Sequence, residues 1–221
     1  MQCGGIILCG GKSSRMGLPK ATLPFGPELM IQRMVRILAE VVEPIIVVAA
    51  PGQSLPYLPA QVSVVHDRRE GRGPLEGLAA GLAVIQGRCE AAYATSCDAP
   101  LLVPAFVRTV VAALGNHDIA VPKTDGFHHP LAAVYRATVL STIDELLAAD
   151  RLRPFYLFEQ VDTLEIEGDQ LLAADPELSS LKNLNHPADY LAALAQAGFQ
   201  PAADVREYFD RREAQENSAS G

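Results

Sequence analysis

The sequence predicts an α/β fold, a three-layer α/β/α sandwich built on one mostly parallel sheet. Short apolar runs alternate with stretches of helical spacing along nearly the whole chain, as strands and helices laid down in turn would. Runs such as Ile45-Ile46-Val47-Val48-Ala49-Ala50 are continuously apolar, as strands buried on both faces are. With 49% apolar residues in a chain of 221, a sizeable core can be built. No internal repeat and no long linker divides the chain. Residues 1–200 therefore read as one domain, followed over 201–221 by a C-terminal helix and a polar, partly disordered tail.

Each element has its own signal. The run Gly5-Ile6-Ile7-Leu8-Cys9 is a buried strand that stops at Gly10-Gly11. Residues 21–25 form a short extended piece ended by Gly26-Pro27. Residues 28–40 carry Leu29, Ile31, Met34, Val35, Ile37 and Leu38 at helical spacing. Strand 45–50 is closed by Pro51-Gly52. One irregular helical turn is expected near 55–58, then a strand at 62–66 with Asp67 at its end. The glycine-rich loop 67–77 leads into a helix over 74–86, with Pro74 in its first turn. The small residues Gly77, Ala79, Ala80, Gly81 and Ala83 let that helix pack closely. Strand 90–97 ends at Cys97-Asp98-Ala99-Pro100. Helix 103–114, strand 118–122, turn 126–130, strand 131–136, helix 137–149 and a short helix at 153–158 follow. Strand 161–166 closes on a Gly168-Asp169 turn. The extended stretch 181–187 precedes a helix over 187–196. Residues 204–216 are amphipathic and then polar, and 217–221 are expected to be disordered.

Composition narrows the function. The formal net charge is −8, with no basic block beyond the first loop, which argues against nucleic acid as partner. The four cysteines form no C-x-x-C pair, so a zinc site is not expected; Cys9 and Cys97, at two strand ends, read as small buried filler. No secretory segment and no long apolar stretch is present, so a soluble cytoplasmic protein without membrane contact is expected.

Positive charge is concentrated in the loop after the first strand, where Gly10 and Gly11 allow close backbone approach and Lys12, Arg15 and Lys20 supply cations. This is a polyphosphate cradle. It is not a P-loop, because the glycine that motif requires five residues before Gly11 is Ile6. Nor is it the G-x-G-x-x-G fingerprint, since Gly10 and Gly11 are adjacent. Asp98, at a strand end before a rigid Ala-Pro, suits a hard cation held jointly with phosphate oxygens; taken alone it equally suits a helix N-cap.

The pattern Leu8-x-Gly10-Gly11-x-x-x-Arg15-Met16-Gly17-x-x-Lys20 resembles the opening motif of nucleotidyltransferases that make nucleotide-sugar-like and cofactor-nucleotide products. Among these it looks most like the molybdenum cofactor guanylyltransferases. The resemblance implies a Rossmann-like sheet of the nucleotide-diphospho-sugar transferase type, with GTP as donor, molybdopterin as acceptor and Mg2+ as metal. It extends to Asp98-x-Pro100, where the family aspartate holds the metal and contacts the nucleotide. Asp67 and Gly73-Pro74-Leu75-x-Gly77 match the nucleotide side of the family's cleft, and Asn183-Leu184-Asn185-His186-Pro187 matches a late Asn-x-Asn-Thr-Pro segment. Carried over residue by residue, the catalytic set is Lys20, Arg15 and Asp98. The nucleotide-binding set is Leu8, Cys9, Gly10, Gly11, Lys20, Asp67, Gly73, Pro74, Leu75, Asp98, Asn183 and Asn185.

Other readings stay open at this point. Arg68, Arg69 and Arg72 serve either substrate phosphates or a solvated loop face, and Asn185 is either a ligand or a turn residue. His128-His129-Pro130 is either an acceptor-side element or a surface turn. His186 replaces the usual threonine and caps the following helix less well. Ala49 stands where the family often has a nucleotide-contacting asparagine, which loosens the choice of base. The alternatives are a cytidylyltransferase, a transferase for another phosphorylated acceptor, and a non-catalytic nucleotide-binding carrier. Transient contact with cofactor-biosynthesis or acceptor proteins is compatible with any of these.

Overall fold

The computed structural model describes residues 1–10, 15–69 and 71–219, with side chains as far as Gln215. Gly11 and Lys12, both assigned to the phosphate loop, lie outside the described residues, as do positions 220 and 221 of the tail. In chain order the elements are β1 (Cys3–Leu8), a 3-10 turn (Lys20–Thr22), β2 (Pro24–Phe25), β3 (Glu28–Leu29), α1 (Met30–Ala39), β4 (Ile45–Ala49), β5 (Ser63–His66) and α2 (Pro74–Ile85). Then come β6 (Ala91–Ser96), α3 (Pro104–Ala113), β7 (Ile119–Thr124), β8 (Phe127–His128), β9 (Ala132–Arg136), a second 3-10 turn (Ala137–Val139), α4 (Leu140–Ala148) and α5 (Phe155–Phe158). The chain continues with β10 (Thr163–Glu167), α6 (Gly168–Leu171), a third 3-10 turn (Ser179–Leu181), α7 (Pro187–Gln196) and α8 (Ala203–Ala219).

The main sheet runs β10-β7-β9-β6-β1-β4-β5, with β8 hydrogen-bonded to β7. β1 lies parallel to both β4 and β6, β4 is parallel to β5, and β7 to β10. β9 is antiparallel to both its neighbours, β6 and β7. Every residue of β1, β4 and β6 is buried, the condition of strands covered on both faces. Successive side chains point to opposite faces and so build two core layers. Ile7, Val47 and Tyr93 face α1 and α3, whereas Ile6, Val48 and Ala92 face α2 and α4. The small residues of α2 do bring it close: a Cβ at Gly81 would lie 2.7 Å from Ile6 Cγ2.

A third cluster sits at the carboxyl end of the sheet. Met16, Phe25 and Met30 pack there with Leu184, Tyr190, Val205 and Phe209 from the last third of the chain. The Tyr190 hydroxyl donates to the carbonyl of Pro24, which ties α7 to the β2–β3 hairpin. Among the described residues no helix is long and apolar enough to cross a membrane.

The expected elements are present with local differences. The stretch around 21–25 begins as a 3-10 turn before its short strand. Glu28 and Leu29 pair with Phe25 and Pro24 instead of opening the helix. Residues 55–58 are irregular, because Pro56 and Pro59 leave no room for a helical turn. Gly168 and Asp169 begin a one-turn helix, and α8 continues to Ala219, beyond the expected start of disorder.

Candidate active site

Register brings the predicted groups to one edge. Leu8 pairs with Val48 on one side and Ser96 on the other, and Ala49 pairs with His66. The residues that follow each strand, Gly10, Ala50, Asp67 and Cys97-Asp98, therefore emerge together at the carboxyl end, where open α/β sheets hold ligands. A cleft of about 330 Å3 opens there, lined among others by Leu8, Gly10, Asp67, Gly73, Asp98 and Asn183.

Asp98 lines this cleft, and Lys20, 78 positions away in sequence, reaches it there: Lys20 Nζ donates to Asp98 Oδ2 at 2.6 Å and to Asn185 Oδ1 at 3.2 Å. The Ser96 hydroxyl donates to Asp98 Oδ1, so both carboxylate oxygens are oriented by the chain. The N-cap of α3 is Val103, which removes the capping reading of Asp98. Leu184 N donates to the Asp98 carbonyl at 2.9 Å, drawing the 183–185 segment alongside. Asp189, in the first turn of α7, reaches back to the residues that precede the helix. Its Oδ2 accepts from the backbone N–H of Asn185 at 2.9 Å and of His186 at 2.8 Å, which fixes the segment that presents Asn185.

Asp67 forms the opposite wall. Its Oδ1 is buried and accepts no hydrogen bond among the described residues. Burial, reinforced by the nearby Glu76 charge, holds its carboxyl above the usual carboxylate range. Two glycines make room for it: a Cβ at Gly10 would stand 3.1 Å from Oδ2, and one at Gly77 would stand 3.2 Å from Oδ1. Gly73 is the N-cap of α2 and Pro74 its first residue, while the Leu75 side chain is fully buried in the layer beneath. Cys9 and Cys97 are buried free thiols, and the contact between them together with burial pushes Cys9 well up. Arg15 is exposed in the turn before Met16.

Of the loop arginines, Arg72 lines the cleft, and both it and Arg68 are anchored by contacts of their own. Arg68 pairs with Asp144 at 3.2 Å; Arg72 donates to the Leu147 carbonyl and pairs with Glu76 and Asp150. Arg69 lines a small recess beside them. His128 and His129 line a recess of about 160 Å3 that shares Pro74, Leu131 and Asn183 with the cleft. His128 Nε2 lies 2.7 Å from Glu165 Oε1 and His129 Nε2 lies 2.7 Å from Thr124 Oγ1. Burial pushes His129 below its ordinary value.

Sequence reasoning missed Ser96, Arg33 and Gln53. Arg33 donates to the Pro100 carbonyl at 2.7 Å and so steadies the turn after Asp98. Gln53 bridges Ala50 N and the Cys9 carbonyl, tying two strand ends together. Only Arg33 carried a signal, as a half-buried cation bordering the apolar face of α1.

An open α/β sheet with a lysine, an aspartate and two asparagines at its carboxyl rim has the parts of a nucleotidyltransferase. Solved structures with this fold include molybdopterin-guanine dinucleotide biosynthesis protein A from Archaeoglobus fulgidus, with a TM-score of 0.74 at 18% identity, covering 90% of this chain and 99% of that one. They also include 2-C-methyl-D-erythritol 4-phosphate cytidylyltransferase from Thermus thermophilus, with a TM-score of 0.65 at 15% identity, covering 89% and 99%. Residues 5–163 match the MobA-like NTP transferase domain. A probable molybdenum cofactor guanylyltransferase of Mycobacterium avium is 37% identical over 202 residues, covering 89% of this chain and 97% of the relative. The chain belongs to the MobA-like NTP transferase family, whose domain spans residues 5–163 and so includes Lys20, Asp67 and Asp98.

Proposed function

We propose that the protein transfers GMP from GTP to the terminal phosphate of molybdopterin and releases pyrophosphate. The observation that carries this is the meeting of Lys20, Asp98 and Asn185 at the strand ends, in a chain 37% identical to a probable molybdenum cofactor guanylyltransferase. GTP lies across the rim with its phosphates toward Gly10 and Lys20. Arg15 adds charge from the exposed turn. Asp67 is the base-side acceptor. A guanine edge offers a carboxylate two adjacent N–H donors, whereas a cytosine edge offers one amino group. Ala49 is fully buried and has no polar group to add, so the purine must be read by its neighbours.

Magnesium takes one or two carboxylates and fills its octahedron with water and phosphate oxygens. Among the described residues no group of three or more His, Cys, Asp or Glu stands within metal-binding reach. Asp98 would then share the ion with the nucleotide, and its two oriented oxygens at the cleft suit that part. Bound there, the ion would offset charge on the reacting phosphates. Lys20 does the same from the protein side and holds Asp98 in place. The acceptor enters the recess bounded by His129, Leu131 and Asn183. One oxygen of its terminal phosphate forms a bond to the α-phosphorus as the bond to the bridging oxygen breaks, and pyrophosphate leaves. The attacking phosphate is already largely ionised near neutrality, its second pKa being about 6, so no general base is required. Positioning and charge stabilisation carry the step.

The test offers each nucleoside triphosphate in turn with magnesium and molybdopterin. Pyrophosphate release with GTP is expected. Release with CTP alone would overturn the choice of base, and release with none would overturn the transfer.

A further inference from the structure

The family match ends at residue 163, and α8 lies beyond it. This helix nevertheless reaches the phosphate loop. Val205 and Phe209 bury themselves beside Met16, which is itself fully buried. One helical turn apart on the same helix, Tyr208 and Arg212 cover the next residue, Gly17. The Tyr208 hydroxyl donates to the Gly17 carbonyl at 3.0 Å. Gly17 has φ +78, and a Cβ there would lie 2.8 Å from the Tyr208 hydroxyl and would also meet the Arg212 guanidinium. Glycine is thus required at position 17 both for its left-handed backbone and for the helix lying against it. Three residues further on, Lys20 bonds Asp98.

We propose that α8 is a clasp on the phosphate loop, with Tyr208 and Arg212 as positioning residues that hold segment 15–20 so that Lys20 meets the nucleotide's phosphates. This rests on the reading of that segment as the phosphate-binding loop. The clasp acts through Gly17 and Met16, at a distance from the reacting atoms. Because Lys20 also serves the reacting phosphates, loss of the clasp should weaken capture of the nucleotide and slow the chemical step together.

Two variants and two readouts test it. Tyr208→Phe keeps the ring beside Phe209, and Arg212→Gln keeps the helix while removing the charge. Each is expected to lower kcat/KM for GTP roughly fivefold, the equivalent of one hydrogen bond, with Tm held. Trypsin cleavage after Arg15 should be faster in both variants without any nucleotide, because Met16 must leave its buried seat for the bond to be cut. Arg212→Lys should recover part of both effects. Unchanged kcat/KM and cleavage would overturn the clasp, as would changes that appear only together with a fall in Tm. If none of the nucleoside triphosphates yields pyrophosphate with the wild-type protein, the transferase reading fails and the cleavage rates alone decide the clasp.

Discussion

Asp67 shows what the site costs at the scale of one residue. A half-buried carboxyl with an unsatisfied oxygen is destabilising in its charged form, and its raised value records that. A folded value above the unfolded one means stability is greatest below the ordinary carboxyl value of 3.8 and is lost as the pH rises through the raised value. Asp67→Asn should accordingly raise Tm at neutral pH, with the gain vanishing in acid below about 3.8, where both states are protonated. The same variant should bind GTP more weakly. Thermal unfolding across pH alongside nucleotide titration checks both; a variant with lower Tm and unchanged affinity would remove Asp67 from the nucleotide wall.

At the scale of elements, the segment before α7 links helix capping to the cleft. Asp189 accepts from the N–H groups of Asn185 and His186, and Asn185 accepts from Lys20. Asp189→Ala should lower stability by about 1 kcal/mol, as loss of a helix cap does. It should also raise KM for the nucleotide, because Asn185 would no longer be held against Lys20. Urea unfolding and steady-state kinetics on one preparation separate the two effects. A stability loss with unchanged KM would mean that Asn185 takes no part in placing Lys20. The polar residue that caps here was hidden in the sequence, because attention falls on the N-cap position and the compensating carboxylate stands three residues later.

At the scale of the molecule, strand-end chemistry was legible and lateral order was not. β1, β4 and β6 announce themselves as apolar runs, and the polar residues after them had to share an edge once the strands were parallel. Gly10, Lys20 and Asp98 could therefore be grouped without coordinates, whereas Asn185 joined them only through the family resemblance and read equally well as a turn residue. The reversed β9 between β6 and β7 could not, because alternation gives a period and neither a direction nor a neighbour. The loop arginines show the same limit in side chains. Arg68 and Arg72 are long enough to turn either way, and contacts on α4 that follow them by more than 70 positions set their course. The Tyr208–Gly17 contact spans 191 positions and had no local signal at all.

The convergence of Lys20 and Asp98 on a nucleotide is tested most directly by following label from GTP marked at its α-phosphate, with magnesium and molybdopterin, in the wild-type protein and in Asp98→Asn. The wild type should carry the label onto molybdopterin and release unlabelled pyrophosphate, and Asp98→Asn should lose about a hundredfold or more in that rate. Label recovered as free GMP, or a variant that transfers as fast as the wild type, would contradict the assignment.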